Sequence, residues 1–232
     1  MGRKRAVSWR MRLAALALLL TLAAGGWAWW RAQHWAPPRA EFPVQGALIG
    51  AGDGPVSFRA LHAIGAEFVY LEASESGDAR DARFAENLRR VRDSGVRFGA
   101  VHAYDPCVPA DRQAANFVTT VPRDEAFLPP AIALEKLAED CPDAVSEAAV
   151  ESELTTFLNQ VEGHVGKPAV LKISPEFEER YKIAGRIERN LWLVRDWLQP
   201  DYGGRPWTLW TANTALRTEA NDEPIRWVVL QP

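Results

Sequence analysis

"EFVYLEASESGDARDARFAENLRRVRDSGVRFGAVHAY", Glu67 to Tyr104, holds the pattern that decides the fold. "EFVYLEAS" is a strand by its aromatic and β-branched content, and "ARFAENLRRVRDSG" is a helix that stops at Gly95 with cations in its last turns. "RFGAVHAY" is again a strand. Two strands joined through a helix imply a parallel pair, because a tight turn joins only antiparallel neighbours.

The same alternation continues on both sides. Upstream lie the strand "GALIGA" and the helix "SFRALHAIG", ending at Gly65. Downstream come the helix "DRQAANFVTTV", the strand "AIALE", the helix "AVESELTTFLNQVEGHVG", the strand "PAVLKIS" and a helix starting at "EFEERY". "LWLVRDW", "WTLWTA" and "IRWVVL" read as further strands. Seven or eight strands with covering helices favour an α/β protein, a compact TIM-like (β/α) barrel, over an open doubly wound sheet. "GAGDG" after the first strand lacks the lysine of a phosphate loop and the spacing of a dinucleotide fingerprint, so no nucleotide cofactor is expected.

In such barrels the site lies at the carboxyl ends of the strands. That filter selects Asp53, Glu72, Glu75, His102, Tyr104, Glu135, Lys172 and Trp210. Carboxylates, a histidine and aromatic rings around one rim suit a sugar, whose faces stack on rings and whose glycosidic oxygen is acted on by acids. Glu135, with the apolar Ile132 and Leu134 just before it, suits a proton donor, and Glu75 is the carboxylate to supply a second charge. Lys172 in an apolar strand is positioned to pair with Glu135, which works against proton donation. The competing readings are structural. His102 reads as a hydrogen-bonded rim or core residue, and Trp192, Trp207 and Trp210 as core with one of them facing a ligand.

The N-terminus carries a different signal. Residues 1–12 are rich in arginine and lysine, and residues 13–30 then run without a charge, roughly 27 Å as a helix. Trp27, Trp29 and Trp30 fall where amphipathic rings favour a membrane interface. The expectation is an inner-membrane, single-pass anchor over 13–30 with a basic cytoplasmic segment before it. Residues 31–41 form a proline-bearing linker, and residues 42–232 a single exported domain in the periplasm. A cleaved signal peptide is the alternative, since "TLAAGG" offers small residues near a cleavage point. The net charge of −3 over 232 residues argues against a nucleic-acid partner.

Export makes the two cysteines readable. Cys107 and Cys141 form an even count in a disulfide-permissive compartment, unpaired core thiols being the alternative. A bridge closing about 35 residues would restrict the unfolded chain by roughly 3–4 kcal/mol. No cysteine or histidine lies at close ligand spacing, so no metal is expected.

The order "GALIGAGDG", "FVYLEASES", "QAANFVTTVP", "LPPAIALE", "GKPAVLKISPEFEERY", "LWLV" and "WTLW" resembles glycoside hydrolase family 25, lysozymes of the N-acetylmuramidase type. "QAANF" with "LPP" is the most specific part, and the resemblance runs from about Phe42 to the C-terminus. It implies an irregular α/β barrel and, as substrate, the β-1,4 bonds between N-acetylmuramic acid and N-acetylglucosamine in peptidoglycan glycan strands. It also implies that Cys107 and Cys141 form the bridge of the Gram-negative branch, and that Glu135 is the acid/base. Glu75, His102 and Tyr104 stand at matching positions. Several positions depart from the family pattern: Leu48 and Ala133 stand where it has aspartates, Gly50 and Ala51 where it has serine and histidine, and Lys172 where it has tyrosine. Thr211 and Ala212 replace the end of a tryptophan-glutamine-tyrosine run, and Arg226 falls near a last aspartate. The expectation is therefore a lysozyme-like domain acting on peptidoglycan with a reduced catalytic set; the alternative is a pseudoenzyme that binds peptidoglycan or a periplasmic protein.

Overall fold

The computed structural model describes residues 9–232, in two compact units, residues 9–35 and residues 36–232. The basic segment expected at 1–12 lies mostly outside the described residues. The first unit is one helix, α1 (Trp9–Gln33), which buries none of its residues within the protein. Its length and apolar character suffice to cross a bilayer, and a signal sequence has the same character. The helix extends beyond the 13–30 expected for it.

The second unit is built on a sheet of nine strands. In chain order these are β1 (Gln45–Ile49), β2 (Phe68–Glu75), β3 (Ala79–Arg80), β4 (Arg97–Ala103), β5 (Ala131–Leu134), β6 (Val170–Ile173), β7 (Asn190–Val194), β8 (Leu209–Thr218) and β9 (Asn221–Leu230). The spatial order is β1-β9-β8-β7-β6-β5-β4-β2-β3, and an additional β1–β2 pairing closes eight of them into a barrel, leaving β3 as a two-residue flap. The pairings from β1 through β2, β4, β5, β6, β7 and β8 are parallel, as the alternation implies. β9 is the exception: it runs antiparallel to both β8 and β1. "IRWVVL" is thus the return arm of a hairpin. Only Glu219 and Ala220 separate it from β8, too few residues for the crossover a parallel strand needs.

The helices are α2 (Phe58–Ala63), α3 (Phe84–Arg92), α4 (Ala110–Thr120), α5 (Glu147–Val165) and α6 (Pro175–Tyr181). Their ends follow local chemistry. Ser146 caps α5 by accepting from the Ala149 amide at 3.2 Å, and Gly166 ends it at φ 75°, a left-handed conformation that costs glycine little. Ser174 caps α6 in the same way, with Pro175 in the first turn where its missing N–H is not needed. Phe84, Leu88 and Val91 give α3 one buried face, the i, i+4, i+7 spacing of an amphipathic helix.

Inside the barrel, Leu48, Phe68, Tyr70, Val101, Ala131, Ala133, Val170, Trp192, Leu209 and Val228 pack together. The two polar rings among them are satisfied: the Tyr70 hydroxyl donates to Pro129 O at 3.0 Å and the Trp192 indole to Thr211 Oγ1 at 2.8 Å. On the outer wall, Phe42 packs on Trp207 and Trp210 with ring centroids 6.1 and 5.6 Å away. Within the segment expected as a linker, Arg39 donates to the carbonyls of Ile64 and Gly65, and the Pro37 carbonyl accepts from Gln45.

Candidate active site

A cleft of about 310 Å³ opens at the carboxyl ends of the strands, where the barrel rule places it. Leu48, Val101, Ala103 and Ala133 give it apolar walls. Four carboxylates line it, Glu72, Glu75, Asp81 and Glu135, together with three cations, Arg80, Lys172 and Arg226, and with Ser74 and Ala79.

Most of these charges are already engaged. Lys172, on β6, donates to Glu135 Oε1, just past the end of β5. The lysine side chain is only 9% exposed and the glutamate 56%. Arg226 pairs with Glu72 and, at 3.0 Å, with Asp53 Oδ2. Burial opposes the guanidinium charge, but Glu72 and Asp53 outweigh it and hold the group above its ordinary pKa. Asp81 accepts from the amides of Ala51 at 2.6 Å and Arg83 at 2.9 Å. A β-carbon on Gly50 would collide with the Glu72 carboxylate, so the residue without a side chain makes room for the Glu72–Arg226 pair. Arg80 is turned toward α4, donating to Asn116 Oδ1 and Thr119 Oγ1. Glu75 is exposed at the end of β2.

Of the residues picked out from the sequence, Glu72, Glu75, Glu135 and Lys172 meet in this cleft. His102, Tyr104 and Trp210 do not line it; they are buried behind its wall. Alternation along β4 explains the first case: Val101 and Ala103 line the cleft, which turns His102 to the outer face, against Phe117 and Phe157. Trp210 lies on the outer face of β8, its indole donating to Arg195 O at 2.8 Å. The Tyr104 ring rests on Phe157, and burial first, then Glu153 and Asp105, push its hydroxyl well above the usual tyrosine range.

The "QAANF" stretch has a clear physical task. On α4, Gln113 Nε2 donates to the carbonyls of Asp105 and Val108, both at 2.8 Å. Its Oε1 is thereby the acceptor for the Asp105 amide and for His102 Nε2 at 3.3 Å. His102 Nε2 must carry the hydrogen, which leaves Nδ1 to accept from the Ser74 hydroxyl at 2.8 Å. Burial lowers the His102 pKa to about 4 against the opposing Gln113 bond, so the ring is neutral. One turn on, Asn116 Nδ2 donates to the carbonyls of Glu75, Ser76 and Ala79. Ser76 sits at φ 50°, and Asn116, the Ala103 carbonyl and Asp105 all hold it there. α4 thus fixes the turn that carries Glu75. Neither amide was singled out as a site residue from the sequence; a buried face bearing Gln113 and Asn116 among alanines and Phe117 was the available signal.

A disulfide joins Cys107 to Cys141 on the cleft side of the barrel, linking the loop after β4 to the loop after β5. Beside it, Lys136 Nζ lies 2.9 Å from Asp105 Oδ2. Burial would raise the Asp105 pKa, but Lys136, the Cys107 amide and Ser76 together hold it below the usual carboxylate range. Among the described residues no cluster of histidine, cysteine, aspartate and glutamate has the arrangement of a metal site.

Comparison with known proteins agrees with this geometry. A structure of a family 25 glycosyl hydrolase from Bacillus anthracis superposes with TM-score 0.77 at 23% identity, covering 86% of this chain and 93% of that one. A bacterial lysozyme from Streptomyces coelicolor superposes with TM-score 0.73 at 18% identity, covering 82% and 92%. A muramidase from Acremonium alcalophilum gives 0.69 at 18%, covering 82% and 94%. At such identities the likeness concerns the fold. In sequence, the uncharacterised YegX proteins of Escherichia coli O6:H1 and K12 are 24% identical over 161 residues, 68% of this chain. The chain spans 57% of the length of these relatives. The sequence profile of glycosyl hydrolases family 25 matches residues 49–214, which takes in every barrel strand from the end of β1 into β8, and the chain belongs to that family.

Proposed function

We propose that the barrel domain takes the glycan strands of peptidoglycan into the cleft around Glu135 and holds them without cutting them. The solved relatives described as lysozymes and muramidases support peptidoglycan as the target. The observation that carries the rest is the Lys172–Glu135 contact. Hydrolysis of a glycosidic bond uses one carboxyl group as a proton donor and a second group to stabilise the cationic centre. Glu135 is engaged the other way round, as an acceptor from an ammonium, and the residue two places before it is the apolar Ala133. Leu48 adds no charge, and Glu72 is taken up by Arg226. An apolar floor with exposed Glu75 and Glu135 at its rim still offers a sugar a face to pack on and acceptors for its hydroxyl and acetamide hydrogens.

Hydrolysis is the second reading, supported by the presence of Glu75 and Glu135 in one cleft. Two carboxyl groups facing a shared space are what a glycosidase requires. In both readings α1 ties the domain to the inner membrane, with the barrel on the periplasmic side, consistent with the disulfide.

The test is co-sedimentation of the full chain, in mild detergent, with insoluble peptidoglycan. The wild type is expected in the pellet, and Ala133→Trp, which fills the cleft floor, in the supernatant. Equal sedimentation of both proteins, or of neither, would remove the cleft from the account.

A further inference from the structure

We propose that Lys172 makes this cleft a receptor for a carboxylate carried on a pyranose ring, and that Glu135 is the chain's own anion, displaced when such a ligand binds. The inference rests on the reading that the cleft holds a glycan, and it names the feature of the glycan that is read.

The observation behind it is the asymmetry of the pair. Lys172 is nine-tenths buried on β6, between the apolar Leu171 and Ile173 and beside Ala133 in the sheet register. A lysine so placed needs an anion, because taking an ammonium out of water without a partner is costly. Its ion-pair partner is a carboxylate more than half exposed, on the residue that follows β5. The cation is fixed in the cleft wall while the anion reaches in from the rim. A ligand carboxylate entering the cleft can take the place of Glu135 on Nζ, and Glu135 then returns to water at small cost.

The other charges of the cleft leave this exchange open. Glu72 is neutralised by Arg226, and Asp81 is saturated by the amides of Ala51 and Arg83. Arg80 faces Asn116 and Thr119 on α4, so it does not compete for the ligand anion. Glu75 is the remaining carboxylate, and it stands exposed at the end of β2. The apolar walls of the cleft are Leu48, Val101, Ala103 and Ala133, the last beside Lys172 in the sheet, and they suit the apolar face of a pyranose and a small alkyl substituent. A charge-assisted bond to Nζ in such surroundings is stronger than one made in open solvent.

The same chemistry has two sources: a carboxylate on an ether-linked lactyl group, as in muramic acid, and one on the ring, as in a uronic acid. The experiment is calorimetric titration of the full chain in detergent with three tetrasaccharides. These are neutral chitotetraose, the peptide-free alternating N-acetylglucosamine–N-acetylmuramic acid tetramer, and tetragalacturonate. The lactyl tetramer is expected to bind about tenfold more tightly than chitotetraose. Glu135→Gln, which removes the competing anion, is expected to raise the preference for the lactyl tetramer over chitotetraose several-fold. Lys172→Met abolishes the preference. Lys172→Arg, which keeps a cation and covers the case in which the methionine variant fails to fold, retains it. Tetragalacturonate binding as tightly as the lactyl tetramer supports a general carboxylate receptor; weaker binding supports one that places the acid on a side arm. Equal affinity for the neutral and lactyl tetramers, or a loss of the preference in Glu135→Gln, overturns the inference while leaving glycan binding in place. Absence of binding by all three overturns the glycan reading together with it.

Discussion

Leu48 on β1 and Arg226 on β9 stand directly opposite each other in an antiparallel ladder, and both line the cleft. One wall therefore offers a hydrocarbon side chain and a cation, and the cation gathers in Glu72 and Asp53. Removing the guanidinium leaves two carboxylates close together without a counter-charge. Arg226→Met is expected to destabilise the barrel by about 2 kcal/mol, between a surface pair and a fully buried one, because the arginine side chain is a quarter exposed. Urea unfolding followed by tryptophan fluorescence measures this. Adding Glu72→Gln to the same chain is expected to restore about half of the loss; a strictly additive double mutant would contradict the coupling.

His102 gives a prediction about pH. Its folded pKa, about 4, lies below the unfolded value near 6.5. Between these values the unfolded chain binds a proton that the folded chain refuses, so stability is complete above pH 6.5 and falls as the pH drops toward 4. At 1.36 kcal/mol per unit the full loss is at most about 3 kcal/mol. Asp105, held below the ordinary carboxylate range, adds a further loss at lower pH still. His102→Asn is expected to be less stable at neutral pH, with a flatter profile between pH 6.5 and 4. A parallel profile in wild type and variant would show that another group titrates there.

Much of the barrel was legible because parallel strands buried on both faces appear as continuous apolar runs, as "GALIGA" and "PAVLKIS" do. The direction of β9 was not, since "IRWVVL" reads alike as a parallel strand or as a hairpin arm until its pairing with both β8 and β1 is known. Within the site, Glu72, Glu75, Glu135 and Lys172 were legible as strand-end residues. His102 and Trp210 share the same local pattern, and only the parity of the pleat decides that they face outward. The task of Gln113 and Asn116 was not legible, although "QAANF" stands out, because a buried amide does not differ, in sequence, from an exposed one. Their role depends on the carbonyls of Glu75 to Ala79 and of Asp105 to Val108 arriving from elsewhere in the chain.

The disulfide ties together the two loops that flank the cleft. Cys107 and Cys141 are 34 residues apart in sequence, and a closed loop of that size is worth about 3–4 kcal/mol through the unfolded chain. Cys107→Ser/Cys141→Ser is expected to unfold at correspondingly lower urea concentration and to bind glycan more weakly, as Asp105 and Lys136 beside the bridge lose their restraint. Unchanged stability in the double variant would mean that the barrel alone holds these loops.

Incubating the full chain with purified peptidoglycan, and following both the protein retained in the pellet and the new reducing ends released, decides whether the cleft holds peptidoglycan without cleaving it. The expected result is retention with no reducing ends above the no-protein control, from the wild type and from Glu135→Gln alike. Reducing ends that rise with wild type and vanish in Glu135→Gln would contradict it, and would make Glu135 the acid of a working hydrolase despite its contact with Lys172.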